Sequence, residues 1–186
     1  MLSTIELLHF KCFERLVLPL GPLTLLSGSN AAGKSSALQA LVLLHQTIRE
    51  HEWSTRLMLN GGALQLGTVL DNVDQVYGRR SFDVGLVDGD LTARWTFTGD
   101  REEMSMTVDR VRVDGDDVSA PPTLRHLVPP DQYERARGLV TRLRDLTYIT
   151  AERVGPRDVY PLEDRQAAKV VGAETLSRIV DWTDRG

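Results

Sequence analysis

A glycine-rich stretch near the amino terminus constrains this chain more than any other feature. Residues 28–36 match the pattern G-x-x-x-x-G-K-[ST] at every specified position. In this pattern the glycines let the backbone approach a polyphosphate and turn its N–H groups toward phosphate oxygens. The helix that follows directs its positive end at the same anion. The residues predicted to bind the phosphates are Gly28, Ser29, Asn30, Ala31, Ala32, Gly33, Lys34, Ser35 and Ser36.

The flanking sequence supplies the context that such a loop requires. Residues 23–27 form a short apolar run, which is typical of a buried parallel strand. Apolar residues after the loop recur on one helical face and predict a helix over residues 34–51. In a strand–loop–helix unit, Lys34 is expected to reach the β- and γ-phosphates, and the Ser35 hydroxyl is expected to bind Mg²⁺.

Composition excludes several classes of protein. The chain has 186 residues, of which 41% are hydrophobic and 26% charged, as in a globular domain. A net charge of −4 argues against a basic nucleic-acid surface over the whole domain. Cys12 is the only cysteine, so we expect no intrachain disulfide, a half-buried thiol and a reducing compartment. The amino terminus does not resemble a signal peptide and no run is long enough to span a membrane, so we expect a cytoplasmic protein.

The rest of the chain predicts one domain over residues 1–186 with an antiparallel section inside it. Strands are expected at 3–10 and 16–18, loops with short helical pieces at 52–80, and a β-section at 81–118. Alternation in that section changes parity near Asp109, which predicts a bulge. A helix–strand–helix unit is expected over 131–182, with its strand at 146–150 and its second helix from 163.

Three blocks of this sequence resemble the amino-terminal part of ABC-type, SMC-like ATPases, above all the OLD family and related AAA-class ATPases of bacteria. The first is a strand followed by F-K-x-F at residues 10–13. The second is the glycine-rich loop with its flanks, ending in Leu38-Gln39-Ala40-Leu41. The third, more scattered, is a Tyr…Arg-x-Gly-Pro pattern at residues 148–156, and Leu66-Gly67 also fits.

The resemblance implies an α/β fold of the P-loop NTPase type, an ABC-type ATPase head with the antiparallel section beside the nucleotide. It implies ATP and Mg²⁺ as ligands, and ATP hydrolysis linked to DNA repair or phage defence. Glu152 and Arg153 are weak candidates for positions near the γ-phosphate. A head-to-head homodimer, or association with a missing half, would complete the site. A nucleic-acid partner is implied by the resemblance alone.

Two elements of such ATPases have no counterpart in this sequence. There is no run of four apolar residues ending in Asp-Glu, and no L-S-G-G-type signature. The chain therefore resembles the amino-terminal half of a longer ATPase, with its catalytic residues unassigned. Since loss of a catalytic carboxylate costs about 10²- to 10⁴-fold in rate, we expect nucleotide binding but poor hydrolysis.

Other functions have less support. A nucleotide-dependent interaction module without turnover is the main alternative, whereas the early β-section disfavours a nucleoside kinase and the lack of N-K-x-D disfavours a GTPase. The six-residue spacing of His45 and His51 does not suit a metal site. Asp83 and Asp88 are expected to be solvated turn carboxylates. Arginines on the helix near residue 140 are interleaved with acids, which predicts a salt-bridged surface.

Overall fold

A computed structural model of the chain describes residues 1–73 and 78–149. Two compact units divide the chain, Met1–Asp145 and Leu146–Gly186. The elements discussed below all belong to the first unit. Glu152, Arg153 and the predicted helix from residue 163 lie outside the described residues.

The described part of the first unit is built on one seven-stranded antiparallel sheet. Its strands are β1 (Leu2–Phe10), β2 (Phe13–Pro19), β3 (Arg56–Met58), β4 (Ser81–Asp88), β5 (Leu91–Thr98), β6 (Ser105–Val113) and β7 (Asp116–Ser119). Their order is β2-β1-β4-β5-β6-β3, and β7 pairs with the far end of β6. The predicted opening strands and the hairpin around residues 88–90 are confirmed.

One face of the sheet is apolar and the other is charged, as expected for an antiparallel sheet that buries a single face. Phe10, Phe82 and Phe97 stack across three strands on the buried face, with ring centroids 4.9 and 5.3 Å apart. On the opposite face Arg94 pairs with Glu6 and with Asp83. Asp83 therefore lies in a strand and not in a solvated turn.

The predicted bulge is present. Thr96 pairs with Arg110 and Phe97 with Val108, so Asp109 has no partner on β5. The extra residue explains the change of parity in the sequence, because Val108 and Val111 then both face the core.

Two helices cover the apolar side. Helix α1 (Lys34–Glu50) contacts β1, β3 and α2 (Tyr133–Arg144). The His45 Nδ1 atom lies 2.7 Å from the Leu143 carbonyl oxygen, so this buried histidine joins the two helices. On α2, Arg135 and Arg142 pair with carboxylates, which confirms a salt-bridged surface.

Two predicted strands are wrong in the described residues. Residues 23–27 belong to no strand, and Leu23 and Leu25 are 91% and 87% exposed. A fully apolar strand needs neighbours on both sides, and among the described strands β2, at this edge of the sheet, pairs only with β1. Residues 146–149 hold only a single bridge residue, and Ile149 is exposed. Within the described residues, no helix is long and apolar enough to cross a membrane.

Candidate nucleotide-binding site

Positive φ angles recur along the glycine-rich loop. Gly33 (φ 82°) and Ala31 (φ 64°) both adopt left-handed conformations, and Gly28 has φ 152°. Alternation of hand along a short loop turns successive N–H groups toward one side, where they form an anion-binding concavity. Ala31 holds this conformation at some cost, since left-handed φ disfavours residues with a Cβ atom.

The start of α1 leaves its first amides free. Lys34, Ser35 and Ser36 occupy the first turn, where no intrahelical acceptor exists for their N–H groups. No side chain caps this end, and no acidic residue lies in its first turn. In the described part of the chain these three amides therefore have no hydrogen-bond acceptor. They add to the partial positive charge of the helix terminus.

The ammonium group of Lys34 joins the end of the glycine-rich loop to its beginning. Its Nζ donates hydrogen bonds to the carbonyl oxygens of Gly28 and Ser29, at 2.8 and 2.6 Å. An ammonium group has three N–H donors, so one remains available for a phosphate oxygen. The charge is thus held against the loop, and no carboxylate among the described residues lies within ion-pair distance of it.

The turn between β1 and β2 packs against the end of the glycine-rich loop. A Cβ atom on Gly33 would lie 2.6 Å from both Cys12 Sγ and Phe13 Cζ, closer than real Cβ atoms approach. Glycine is therefore required at position 33 by packing as well as by its positive φ. This contact explains why the F-K-x-F turn and the glycine-rich loop occur together in the sequence.

A shallow apolar cavity of about 150 Å³ lies beside the loop. It is smaller than the range of about 300–1,000 Å³ that is usual for sites that enclose a small molecule. It is lined by Phe13, Leu16, Leu18, Leu26, Ser27, Ala32, Gly33, Lys34 and Ala37.

Lys11 is a second cation near the loop, and sequence reasoning did not assign it a role. Its side chain is half-buried, and its Nζ donates a hydrogen bond to Gln39 Oε1 at 2.8 Å. Burial lowers the pKa of the Lys11 ammonium, while the charge of Asp71 acts in the opposite direction. The only available signal was its place in the F-K-x-F turn.

The loop residues fit a polyphosphate with a metal ion. Their free amides and the spare Lys34 donor match the acceptor-only oxygens of phosphates. The Ser35 hydroxyl is exposed and makes no hydrogen bond in the described chain, so it is available to a cation. Among the described residues, no group of three or more histidine, cysteine, aspartate or glutamate side chains could hold a metal ion.

Two sequence predictions about single side chains are wrong. Cys12 is exposed and not half-buried, because its turn lies at the surface beside the loop. The Asp88 carboxylate is only 3% exposed and lies 2.8 Å from Arg142 Nε and 2.9 Å from the Met1 nitrogen. Desolvation acts to raise the pKa of Asp88, but the Arg142 hydrogen bond and the N-terminal ammonium together lower it below its ordinary value.

The described fold and loop define the chain in coarse terms as an α/β protein with an antiparallel sheet and a glycine-rich loop before α1. Residues 1–56 match the family model DUF2813, described as a protein of unknown function. The chain is also 46% identical over 44 residues to the OLD nuclease of Thermus scotoductus. That match covers 24% of this chain and 8% of the relative, so the similarity is to a small part of a longer protein.

Proposed function

We propose that this chain binds ATP with Mg²⁺ through residues 28–36, as part of an ABC-type P-loop ATPase. The observation that carries the proposal is the set of free amides at the start of α1, next to a lysine whose ammonium group bonds the loop carbonyls of Gly28 and Ser29. The sequence similarity to part of an OLD nuclease supports the same proposal.

The residues would divide the work as follows. The amides of the loop and of Lys34, Ser35 and Ser36 bind phosphate oxygens, and Gly33 keeps the backbone close enough for these bonds. Lys34 uses its third donor on the β- and γ-phosphates and holds the loop closed with the other two. Mg²⁺, when bound, would neutralise phosphate charge, and the exposed Ser35 hydroxyl would bind it.

In this proposal, ATP hydrolysis requires groups that the present sequence does not contain. The sequence has no apolar run ending in Asp-Glu, so the chain alone is expected to bind ATP and to release phosphate slowly. A head-to-head dimer or an added segment would supply the missing groups. By analogy with the relative named a nuclease, the nucleotide step would serve DNA repair or phage defence.

A thermal-shift titration with ATP–Mg²⁺ tests the binding. Ligand at 100-fold over its Kd adds about 2.7 kcal/mol to the free energy of unfolding. Wild type should be stabilised, and Lys34→Ala should lose that response. Arg137→Ala is the matched control, because it removes an exposed cation on α2, far along the chain from the loop. Equal responses of wild type and Lys34→Ala would refute the proposal.

The alternative is an interaction module that uses ATP as a structural ligand and never turns it over. The missing Asp-Glu run favours it for this polypeptide. Steady-state phosphate release separates the two functions, measured with ATP alone and with ATP plus DNA. Release that rises with DNA and disappears in Lys34→Ala supports the ATPase, whereas binding without any release supports the module.

A further inference from the structure

Lys11 occupies a turn whose backbone is held in an unusual conformation. Its φ of 51° lies in the left-handed region, which residues with a Cβ atom rarely adopt. The Lys11 N–H donates to the Asn72 carbonyl oxygen at 2.9 Å, and the buried Asn72 side chain donates to two further carbonyls. The turn is therefore held from outside, and the strained conformation fixes where the Lys11 side chain begins.

Two contacts place this turn against the start of α1. Cys12 and Phe13, the next residues along the chain, touch Gly33 at the end of the loop. The Lys11 Nζ reaches Gln39, which lies four residues after Ser35 on the same face of the helix. Residues four apart on a helix are neighbours, with Cβ atoms about 5–6 Å apart. The ammonium group thus lies beside the first two turns of α1, the helix that begins at the end of the loop.

The charge of Lys11 is poorly compensated where it lies. Its one hydrogen-bond acceptor in the described chain is the neutral amide of Gln39, and no carboxylate there comes within ion-pair distance. The nearest acidic influence, Asp71, is already held by the Thr68 N–H and hydroxyl. A half-buried ammonium normally gains an anionic partner, since desolvation of an unpaired charge is unfavourable.

We propose that Lys11 is a second cationic ligand of the nucleotide site, which exchanges Gln39 for a phosphate oxygen when ATP–Mg²⁺ binds. The inference rests on the proposed function of residues 28–36 and extends it to the β1–β2 turn. Rotation of the terminal torsions of a lysine moves its Nζ by several ångströms while the backbone stays fixed. In the absence of nucleotide, the hydrogen bond to the neutral Gln39 amide keeps the ammonium group near the site.

Affinity measurements on charge variants test this role. Replacing Lys11 with Met keeps the length and apolar character of the stem but removes the charge. The Kd for ATP–Mg²⁺ should rise about 10- to 100-fold, as expected for loss of one charge-assisted hydrogen bond. Lys11→Arg should retain much of the affinity. Arg15→Met is the matched control, because it removes an exposed cation from the adjacent strand β2.

A second measurement uses the wild-type protein and does not depend on how the variants fold. The sequence contains three lysines, Lys11, Lys34 and Lys169. Mild acetylation followed by peptide mass analysis reports the reactivity of each, with and without ATP–Mg²⁺. Protection of both Lys11 and Lys34, relative to AMP as ligand, supports the proposal.

The outcomes separate the two hypotheses. If Lys34 is protected and Lys11 reacts equally in both conditions, Lys11 is a structural residue and only the present inference is overturned. An unchanged Kd in Lys11→Met, with binding lost in Lys34→Ala, leads to the same conclusion. If wild type binds no ATP–Mg²⁺ at all, the proposed function fails and the inference fails with it.

Discussion

Substitution of Gly33 by Ala tests whether the β1–β2 turn dictates the shape of the glycine-rich loop. The added Cβ would lie 2.6 Å from Cys12 Sγ and from Phe13 Cζ, and it would also sit on a residue with φ 82°. Left-handed strain for an alanine costs about 1–2 kcal/mol. Overpacking against neighbouring atoms adds about 1–3 kcal/mol, so we expect a total loss of about 2–5 kcal/mol.

Gly115→Ala provides the matched control. Gly115 has φ 92°, but nothing lies within 4 Å of the position that its Cβ would take. Both variants reduce the entropy of the unfolded chain equally, so their difference isolates the packing term. Urea unfolding should give a loss of about 1 kcal/mol for Gly115→Ala, and only Gly33→Ala should weaken ATP–Mg²⁺ binding.

A double-mutant cycle sharpens the comparison. Combining Gly33→Ala with Phe13→Leu removes one of the two clashing atoms, and the pair should show a coupling energy of about 0.5–3 kcal/mol. If the two glycine variants lose the same stability and bind the nucleotide equally, the turn does not shape the loop and the packing argument is refuted.

Three further predictions concern groups outside the loop backbone. Asp88→Asn leaves Arg142 and the N-terminal ammonium without their carboxylate, and because both cations are more than half exposed it should cost only about 1–2 kcal/mol in urea unfolding. Since the pKa of Asp88 is lowered in the folded state, this contribution is present above the carboxyl's unfolded pKa and is lost as pH falls through the folded value. The gap to wild type should therefore close in acid, and a gap that widens would contradict the assignment. Trp95→Phe leaves the Leu127 carbonyl without the 2.8 Å hydrogen bond from Nε1 and should lower the free energy of unfolding by about 1–3 kcal/mol. Calorimetry measures this loss, and an unchanged free energy would mean that water replaces the donor. Cys12, the one thiol, should react fully with Ellman's reagent and more slowly in ATP–Mg²⁺ than in AMP; equal rates would argue against a ligand beside Gly33.

Local sequence signals predicted most of the described fold. Helix α1, the hairpin of β4 and β5, and the bulge at Asp109 follow from periodicity and turn residues, which act over a few positions. The strand predicted from the same kind of signal at residues 23–27 is absent from the structure. Their apolar run states only that they need burial, and no described strand provides it.

The sequence indicated where the candidate site lies, and phosphate binding there stays a prediction. The pattern at residues 28–36 places glycines at positions 28 and 33, and both have positive φ in the structure. Lys11 and Asp88 were not predictable, because their surroundings come from Asn72 and Arg142, far away in the sequence. A charged residue reveals its role only when long-range packing decides which neighbours it has.

The two exposed leucines before the loop have a consequence for handling the purified chain. Leu23 and Leu25 are 91% and 87% exposed, close in sequence to the sheet-edge strand β2. Apolar side chains beside an unpaired edge favour contacts between molecules. Light scattering should therefore rise with concentration, and a Leu23→Ser, Leu25→Ser variant should remain monodisperse at concentrations where the parent chain clouds.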